Sequence, residues 1–168
     1  ETMKVVTVEN PVQTNIPKIT QLQVGQTGVN TLKEGFDLAL QLDPDLVFLD
    51  CPREIPFVED VAFAGLGGKT MLATFMAHDA SSAMQKLLGQ CDDPLILANS
   101  LCGIVSQRLI RTLCPDCKKT YEPTPDQIQR IKLQEGKYTL FQPGSCETCQ
   151  QTGYSGRTLV SEFLPVSP

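Results

Sequence analysis

Four cysteines in the last third of the sequence have the spacing of a metal site. Cys114 and Cys117 form one C-x-x-C pair, Cys146 and Cys149 form a second, and 28 residues separate the pairs. Each pair can direct both thiolates to one point, and two pairs complete a tetrahedron around Zn²⁺. The spacing therefore predicts a structural zinc site, and the long spacer predicts that the intervening residues fold as a small lobe.

A dithiol redox site is the alternative interpretation, because Cys114-Pro115-Asp116-Cys117 resembles the C-P-x-C motif of glutaredoxins. A redox pair opens a helix just after the first strand of a small βαβ domain. This pair instead lies late in the chain, after a predicted helix, and has a second pair as a partner. Structural zinc is favoured, and four thiolates leave no open coordination position for catalysis.

Length and charge limit the classes of protein that fit. The 168 residues suit one domain, or one domain with a small metal-bound lobe. A formal charge of −5 disfavours nucleic acid as the main partner. No apolar run approaches the ~20 residues of a membrane span, and no secretory signal begins at Glu1. We expect a cytoplasmic chain or a piece of a larger one.

Three further cysteines, Cys51, Cys91 and Cys102, lie in predominantly apolar stretches. If four of the seven cysteines bind metal, these three remain as separate thiols, which suits a reducing compartment better than a disulfide framework. The sequence indicates no role for them.

The apolar pattern predicts an α/β fold with a parallel sheet over the first two thirds of the chain. A strand at residues 4–8 starts with no lead-in, which predicts that an N-terminal part is missing. The apolar run 46–49 suits a strand buried on both faces. The other predicted elements are a loop or edge strand at 21–30, helices at 31–42, 59–66, 79–89 and 126–133, one or two helices over 94–111, and strands at 70–75 and 158–160.

Residues 65–70 (G-L-G-G-K-T) partly match a phosphate-binding loop, but the first glycine of that motif is replaced by Phe63. The segment also leads from a predicted helix into a strand, which is the reverse of the order that directs backbone N–H groups at phosphate. We interpret it as a helix C-cap and turn. The single histidine, His78, is interpreted as a surface or capping residue beside Asp79.

Residues 46–50 (L-V-F-L-D) fit two interpretations equally well. Four apolar residues ending in Asp50 match a Walker B strand, whose acid reaches Mg²⁺ through water. They also match an ordinary core strand that ends in a polar residue. Arg108 and Arg111 are predicted to lie on a helix face, either solvated or at an interface where they touch phosphate or carboxylate.

Several segments together resemble the ATPases of type II secretion and type IV pilus assembly. Residues 7–13 (T-V-E-N-P-V-Q) are similar to the family's Asp box, T-x-E-D-P-x-E, and residues 43–45 to its D-P-D. Residues 72–75 stand at its His box, residues 107–114 are close to Q-R-L-x-R-x-L-C, and 153–157 complete the family's zinc lobe with the two cysteine pairs.

The sequence departs from the family pattern at positions that carry phosphoryl-transfer chemistry. Asn10 and Gln13 replace Asp-box acids, and residues 36–41 lack both arginines of L-R-x-x-L-R. Cys51 stands where the family has the glutamate thought to activate water, and Met76 where it has histidine. Asp50 comes one residue early and is expected to face the other side of the strand. Because charge and positioning drive this reaction, these losses predict a catalytically silent homologue.

The resemblance implies part of a RecA-like parallel-sheet ATPase domain over residues 1–113, a Cys₄ zinc-binding lobe over 114–157 and a C-terminal return segment over 158–168. The family's phosphate loop lies upstream of the Asp box, so this chain lacks it. No catalytic residue is assigned. Glu9, Asp50 and Arg53 are nucleotide-binding candidates by resemblance, with ATP and Mg²⁺ bound only in the full-length protein.

The resemblance also implies a hexameric cytoplasmic motor, peripheral to the inner membrane, that acts on an inner-membrane platform protein. We expect this chain to serve motor assembly or coupling. A zinc-stabilised interaction module without motor or nucleotide function is the alternative. Binding of Mg-ATP and ring formation distinguish the two.

Overall fold

The computed structural model describes residues 3–26, 28–51, 55–134, 136 and 138–166. The chain forms two compact units. Residues 1–106 and 162–168 make up the first, here called the α/β unit, and Gln107–Ser161 make up the second, here called the cysteine lobe. The domain boundaries that the sequence predicts after residues 113 and 157 stay a prediction.

A four-stranded sheet forms the centre of the α/β unit. Its strands are β1 (Val5–Glu9), β2 (Thr20–Gln23), β3 (Leu46–Asp50) and β4 (Thr70–Thr74), in the order β2-β1-β3-β4. All three neighbouring pairs are parallel. The predicted parallel α/β fold is therefore confirmed.

Helices α1 (Leu32–Gln41), α2 (Val58–Leu66), α3 (Ala80–Gly89) and α4 (Pro94–Ser100) connect and follow these strands. The predicted N-cap of α1 is confirmed, because the Thr31 hydroxyl accepts a hydrogen bond from the Glu34 N–H. Gly35 lets this helix approach the sheet closely, since a Cβ there would lie 2.4 Å from Cγ1 of Val8. The core beneath the helix includes Val6, Val8, Phe36, Val47 and Leu49.

The prediction of helix over residues 94–111 is wrong beyond Ser100. The chain becomes extended at Leu101 and continues as β5 (Gly103–Leu113), so Arg108 and Arg111 lie on a strand. The β-branched residues Ile104, Val105, Ile110 and Thr112 favour extended backbone. The apolar pattern did not predict this strand because side chains on both of its faces are exposed. A half-buried strand shows alternating apolar and polar residues, and this alternation is missing here.

The cysteine lobe contains a second small sheet, in which β6 (Lys119–Tyr121) pairs antiparallel with β7 (Leu140–Gln142). Between them, α5 (Pro125–Arg130) starts with a capping box formed by Thr124 and Gln127, and it is shorter than the predicted helix. Strand β8 (Tyr154–Pro165) pairs with β5 and is longer than the predicted closing strand. Among the described residues, no helix has the length and apolar character needed to cross a membrane.

Candidate functional site

The four paired cysteines converge in the cysteine lobe. The Sγ atoms of Cys114 and Cys146 lie 3.8 Å apart, as do those of Cys117 and Cys149. The Sγ atoms of Cys146 and Cys149 are 3.6 Å apart, and all four sulfurs lie within 4.8 Å of one another. The folded chain thus brings both C-x-x-C pairs to one point.

Each cysteine pair lies in a turn fixed by backbone hydrogen bonds. At the end of β5, the Cys114 N–H donates to the Gly153 carbonyl at 2.9 Å, and the Lys118 N–H donates to the Cys114 carbonyl at 3.0 Å. In the second turn, the Gln151 N–H donates to the Cys146 carbonyl at 2.9 Å. The cysteines are therefore positioned by turns whose backbone N–H and C=O groups already form hydrogen bonds, as a structural metal site requires.

Two glycines allow the two turns to pack together. A Cβ at Gly144 would lie 1.8 Å from the Cys117 carbonyl oxygen, so only glycine fits against that turn. Gly153 has φ +77°, and a Cβ there would lie 2.6 Å from the Gly144 carbonyl oxygen. Sequence reasoning missed the role of Gly144, because its constraint comes from a turn distant in the sequence.

The thiols differ in their proton affinity. Burial raises the pKa of Cys149, but hydrogen bonds from its surroundings, including the Gly153 N–H at 3.2 Å, outweigh it and lower the pKa to about 6. Burial and the three neighbouring thiols raise the pKa of Cys117 to about 12. A bound cation reverses the second effect, because metal coordination deprotonates thiols outright. The four thiols therefore lose their protons most readily when a cation is bound among them.

The geometry fits a tetrahedral zinc ion. Zn–S bonds of roughly 2.3 Å require sulfur–sulfur separations of about 3.8 Å, and the three measured separations of 3.6–3.8 Å agree. Four thiolate donors in a tetrahedral arrangement suit Zn²⁺ or an iron–sulfur centre rather than Mg²⁺ or Ca²⁺. The first pair follows a strand, not the predicted helix, and it lies in a turn rather than opening a helix. A glutaredoxin-like dithiol arrangement is not formed.

Glu9, one nucleotide-binding candidate, ends β1 at the carboxyl edge of the parallel sheet. Its Oε1 accepts hydrogen bonds from the Thr7 hydroxyl at 2.6 Å and from Gln21 Nε2 at 2.9 Å. Partial burial raises the pKa of Glu9, but hydrogen bonds from Thr7, Gln21 and the Gln13 backbone outweigh it and hold the pKa below its ordinary value. Glu9 is therefore a fixed carboxylate at the edge where parallel sheets bind ligands.

Asp50 ends β3 at the same edge of the sheet, and Cys51 follows it. Asp50 is partly exposed, and its Oδ1 accepts a hydrogen bond from the Thr74 hydroxyl on β4 at 2.8 Å. The Cys51 side chain is fully buried in the core. Burial, reinforced by the Asp50 charge, raises the pKa of the Cys51 thiol to about 12. Arg53, the third nucleotide-binding candidate, lies outside the described residues.

Two other segments adopt the structures that the sequence predicted. Residues 65–70 connect α2 to β4, with Gly67 as the helix C-cap and Gly68 at φ +90°. Lys69 forms an ion pair with Asp43 rather than standing at a helix N-terminus. His78 is exposed, and its Nδ1 lies 3.2 Å from Asp79 Oδ2. Asp79, not His78, caps α3 by accepting a hydrogen bond from the Ser82 N–H.

A parallel α/β unit with acids at its carboxyl edge, joined to a four-cysteine lobe, is the combination expected of a secretion or pilus assembly ATPase. The family model described as "Type II/IV secretion system protein" matches residues 1–168. The chain belongs to this family, and its resemblance to the type II secretion and type IV pilus assembly ATPases is confirmed.

Individual relatives agree with this assignment. The chain is 36% identical over 160 residues to the type II secretion system protein E of Dickeya dadantii, covering 95% of this chain and 32% of that protein. It is 32% identical to the type IV pilus assembly ATPase PilB of Thermus thermophilus, covering 95% of this chain and 18% of that protein. The chain thus spans about a third or less of the length of these relatives.

Solved structures share the fold. The pilus retraction motor PilT with bound ADP superposes on the whole chain with a TM-score of 0.66, at 18% identity and over 40% of that chain. The ATPase DotB of Yersinia pseudotuberculosis superposes with a TM-score of 0.62 at 16% identity. This match covers 98% of this chain and 35% of the DotB chain.

Proposed function

We propose that this chain is the C-terminal part of a type II secretion or type IV pilus assembly ATPase homologue with impaired hydrolysis, serving motor assembly or coupling. The observation that carries the proposal is a contrast between two sites. The four-cysteine cluster has the geometry of a complete metal site, whereas the position of the family's water-activating acid holds a buried thiol.

Cys51 supports impaired hydrolysis on chemical grounds. A group that activates water must be able to accept a proton near neutral pH and must reach the water. The pKa of Cys51 is raised to about 12, so the thiol stays protonated, and its side chain is fully buried. Asp50 does not replace it, because Asp50 comes one residue earlier on β3 and binds the Thr74 hydroxyl.

The remaining acids fit nucleotide binding better than hydrolysis. Glu9 and Asp50 both end strands at the carboxyl edge of the sheet, and both are held by hydrogen bonds from neighbouring strands. Carboxylates at this edge can hold Mg²⁺ of Mg-ATP through water. We assign Glu9, Asp50 and, by family resemblance, Arg53 to nucleotide binding in the full-length protein, and we assign no catalytic residue.

Zinc supplies folding free energy to the cysteine lobe. Cys114, Cys117, Cys146 and Cys149 would hold the ion, in the lobe that also contains the small β6–β7 sheet. A lobe of this size buries little apolar surface, so a metal supplies much of its stability. The zinc ion therefore stabilises the surface of the cysteine lobe. This surface contacts other subunits of a hexamer or an inner-membrane platform protein.

Nucleotide binding and turnover by the full-length protein test the proposal. We expect Mg-ATP to bind with little hydrolysis, and Cys51→Ala to leave the residual turnover unchanged, because a buried and protonated thiol does not activate water. Cys102→Ala is the control at an exposed cysteine. Turnover of ATP by the wild-type protein at a rate typical of kinases, about 1–100 s⁻¹, would exclude impaired hydrolysis. Absence of both Mg-ATP binding and ring formation would favour a zinc-stabilised interaction module.

A further inference from the structure

Polar side chains of strands β1 and β2 lie together on one face of the sheet in the α/β unit. The two strands pair in parallel, with Thr7 beside Gln21 and Glu9 beside Gln23. Paired residues, and residues two apart on a strand, point to the same face of a sheet. Helix α1 packs on the opposite face, against Val8. Gln21 and Gln23 therefore share the face that carries Glu9.

The side-chain amide of Gln21 makes three hydrogen bonds. Its Nε2 donates to Glu9 Oε1 at 2.9 Å and to the Thr14 carbonyl at 3.0 Å. Its Oε1 accepts a hydrogen bond from the Ile16 N–H at 2.8 Å. The reverse orientation of this amide would place its oxygen against a carboxylate, so these partners fix its direction. One side chain thus binds both the Glu9 carboxylate and the segment that connects β1 to β2, here called the β1–β2 connection (residues 10–19).

Gln23 holds the β1–β2 connection at a second point. Its Oε1 accepts a hydrogen bond from the Val12 N–H at 3.1 Å. Residues 13–18 of the connection are exposed, so apolar packing contributes little to their path. The two glutamines therefore contribute much of what holds residues 12–16 beside Glu9. Because Gln21 also donates to the carboxylate, the two contributions can be tested separately.

The bond from Gln21 affects both the charge and the direction of the Glu9 carboxylate. Partial burial raises the pKa of Glu9, but hydrogen bonds from Thr7, Gln21 and the Gln13 backbone outweigh it and lower the pKa. The Thr7 hydroxyl and Gln21 Nε2 both donate to Oε1, so two neighbouring strands hold the carboxylate. A carboxylate that binds Mg²⁺ must be ionised, and it binds best when its direction is fixed in advance.

We propose that Gln21 is a positioning residue that holds the Glu9 carboxylate and the β1–β2 connection in place for binding of a Mg-nucleotide. Gln21 acts through Glu9 and is assigned no contact with the nucleotide. The inference rests on the proposed nucleotide-binding role of Glu9. It is independent of hydrolysis and of the cysteine lobe.

Mg-ATP binding by the full-length protein tests this role. Gln21→Met keeps the length of the side chain but removes the amide. We expect it to weaken binding about tenfold, because a hydrogen bond to a charged group is lost. The acid limb of the binding profile should also move to higher pH, since Glu9 without this donor takes up a proton at higher pH. Wild-type affinity and a wild-type pH profile in Gln21→Met would overturn the proposal.

Gln23→Met separates the carboxylate from the β1–β2 connection. It removes the bond to the Val12 N–H and leaves the bond between Gln21 and Glu9. We expect hydrogen exchange at Val12 to accelerate about fivefold, while the pH profile of Mg-ATP binding stays as in wild type. An equal shift of the profile in Gln21→Met and Gln23→Met would assign the effect to the connection and contradict positioning of Glu9.

Two further variants complete the test. Thr7→Val removes the other donor to Glu9 Oε1 at nearly constant volume, so it should move the acid limb in the same direction as Gln21→Met. Gln41→Met makes the matched change at an exposed glutamine at the end of α1, and it should leave affinity, profile and exchange unchanged.

Failure of this inference and failure of the proposed function give different results. Absence of Mg-ATP binding by the wild-type protein would overturn the nucleotide-binding role of Glu9 and, with it, the role of Gln21. Wild-type binding that Gln21→Met leaves unchanged would overturn the role of Gln21 alone.

Discussion

At the scale of single residues, the seven cysteines have three different environments. Four meet in the candidate metal site, Cys51 and Cys91 are buried elsewhere, and Cys102 is exposed. Thiol chemistry depends on access and on the thiolate fraction, so these environments predict different reactivities. We therefore expect the same residue type to act as a metal ligand, an inert core group or a reactive surface thiol according to its position.

Thiol labelling of the zinc-loaded protein measures this difference. We expect Cys102 to react rapidly with a maleimide at pH 7.5, because it is exposed. Cys51 should react only after unfolding, because it is fully buried and burial raises its pKa to about 12. Mass spectrometry of the labelled peptides identifies the modified sites. Cys102→Ser is the control, and rapid native labelling at Cys51 would contradict the structure.

The metal-ligand assignment is tested by Cys149→Ser. Serine cannot supply the soft thiolate donor, and Cys149 also accepts the Gly153 N–H through its sulfur. We expect zinc content to fall below one ion per chain and the cysteine lobe to unfold, as shown by elemental analysis and by loss of amide protection in the lobe. Cys102→Ser should leave both unchanged. A full zinc complement and wild-type melting curve in Cys149→Ser would refute the assignment.

Gly144 provides an independent test of the turn packing. An added methyl group would collide with the Cys117 carbonyl oxygen, which cannot move without disturbing the first cysteine pair. We expect Gly144→Ala to destabilise the lobe by about 1–3 kcal/mol, the range typical of overpacking. Urea unfolding of the zinc-loaded protein measures this. Gly89→Ala is the control for added volume, since nothing lies within 4 Å of its position and its φ is not in the left-handed region, and it should not destabilise the protein.

At the scale of secondary structure, four of the five described helices begin where a polar side chain accepts a backbone hydrogen bond, whereas α2, which follows Phe57, has no such cap. Thr31, Asp79, Asp93 and Thr124 each cap a helix in this way. These caps combine local sequence with local geometry, which is why the starts of α1 and α3 were predicted correctly. The strand at β5 had no such local signal, and its pairing with β8 overrode the helical interpretation.

The cap of α3 predicts a pH dependence. Hydrogen bonds lower the pKa of Asp79 from 3.8 to about 2, and those from Ser82 contribute more than the one from His78. A lowered folded-state pKa stabilises the fold above the unfolded pKa, and this stability is lost as the pH falls from about 4 to 2. Asp79→Asn should flatten this part of the stability profile, followed by circular dichroism. An unchanged acid profile in Asp79→Asn would contradict the assignment.

At the scale of the whole molecule, two units with different sources of stability share one chain. The α/β unit has a continuous apolar core around its parallel sheet, whereas the described core cluster includes no residue of the cysteine lobe. The lobe is inserted between Ser106 and Glu162 of the α/β unit. We therefore expect its fold to depend on a bound metal to a degree that the α/β unit does not share.

Removal of metal tests this difference in the full-length protein. With excess chelator we expect amide protection to disappear across the cysteine lobe, while the central strands β1 and β3 stay protected. Adding one equivalent of Zn²⁺ should restore the lobe, and Mg²⁺ should not, because thiolates select the softer ion. Equal protection of the lobe with and without chelator would show that the metal is not structural.

The sequence by itself determined the family, the parallel α/β class and the four cysteines of the candidate site, because these depend on local patterns. Strand alternation, helix caps and C-x-x-C spacing are encoded within a few neighbouring residues. Only the tertiary structure decided that residues 103–113 form a strand, that Gly144 must lack a side chain and that Glu162 meets Ala80. Each of these depends on residues that are distant in sequence and adjacent in space, and the local preference of the β-branched residues for a strand was not sufficient to predict β5 without its pairing with β8.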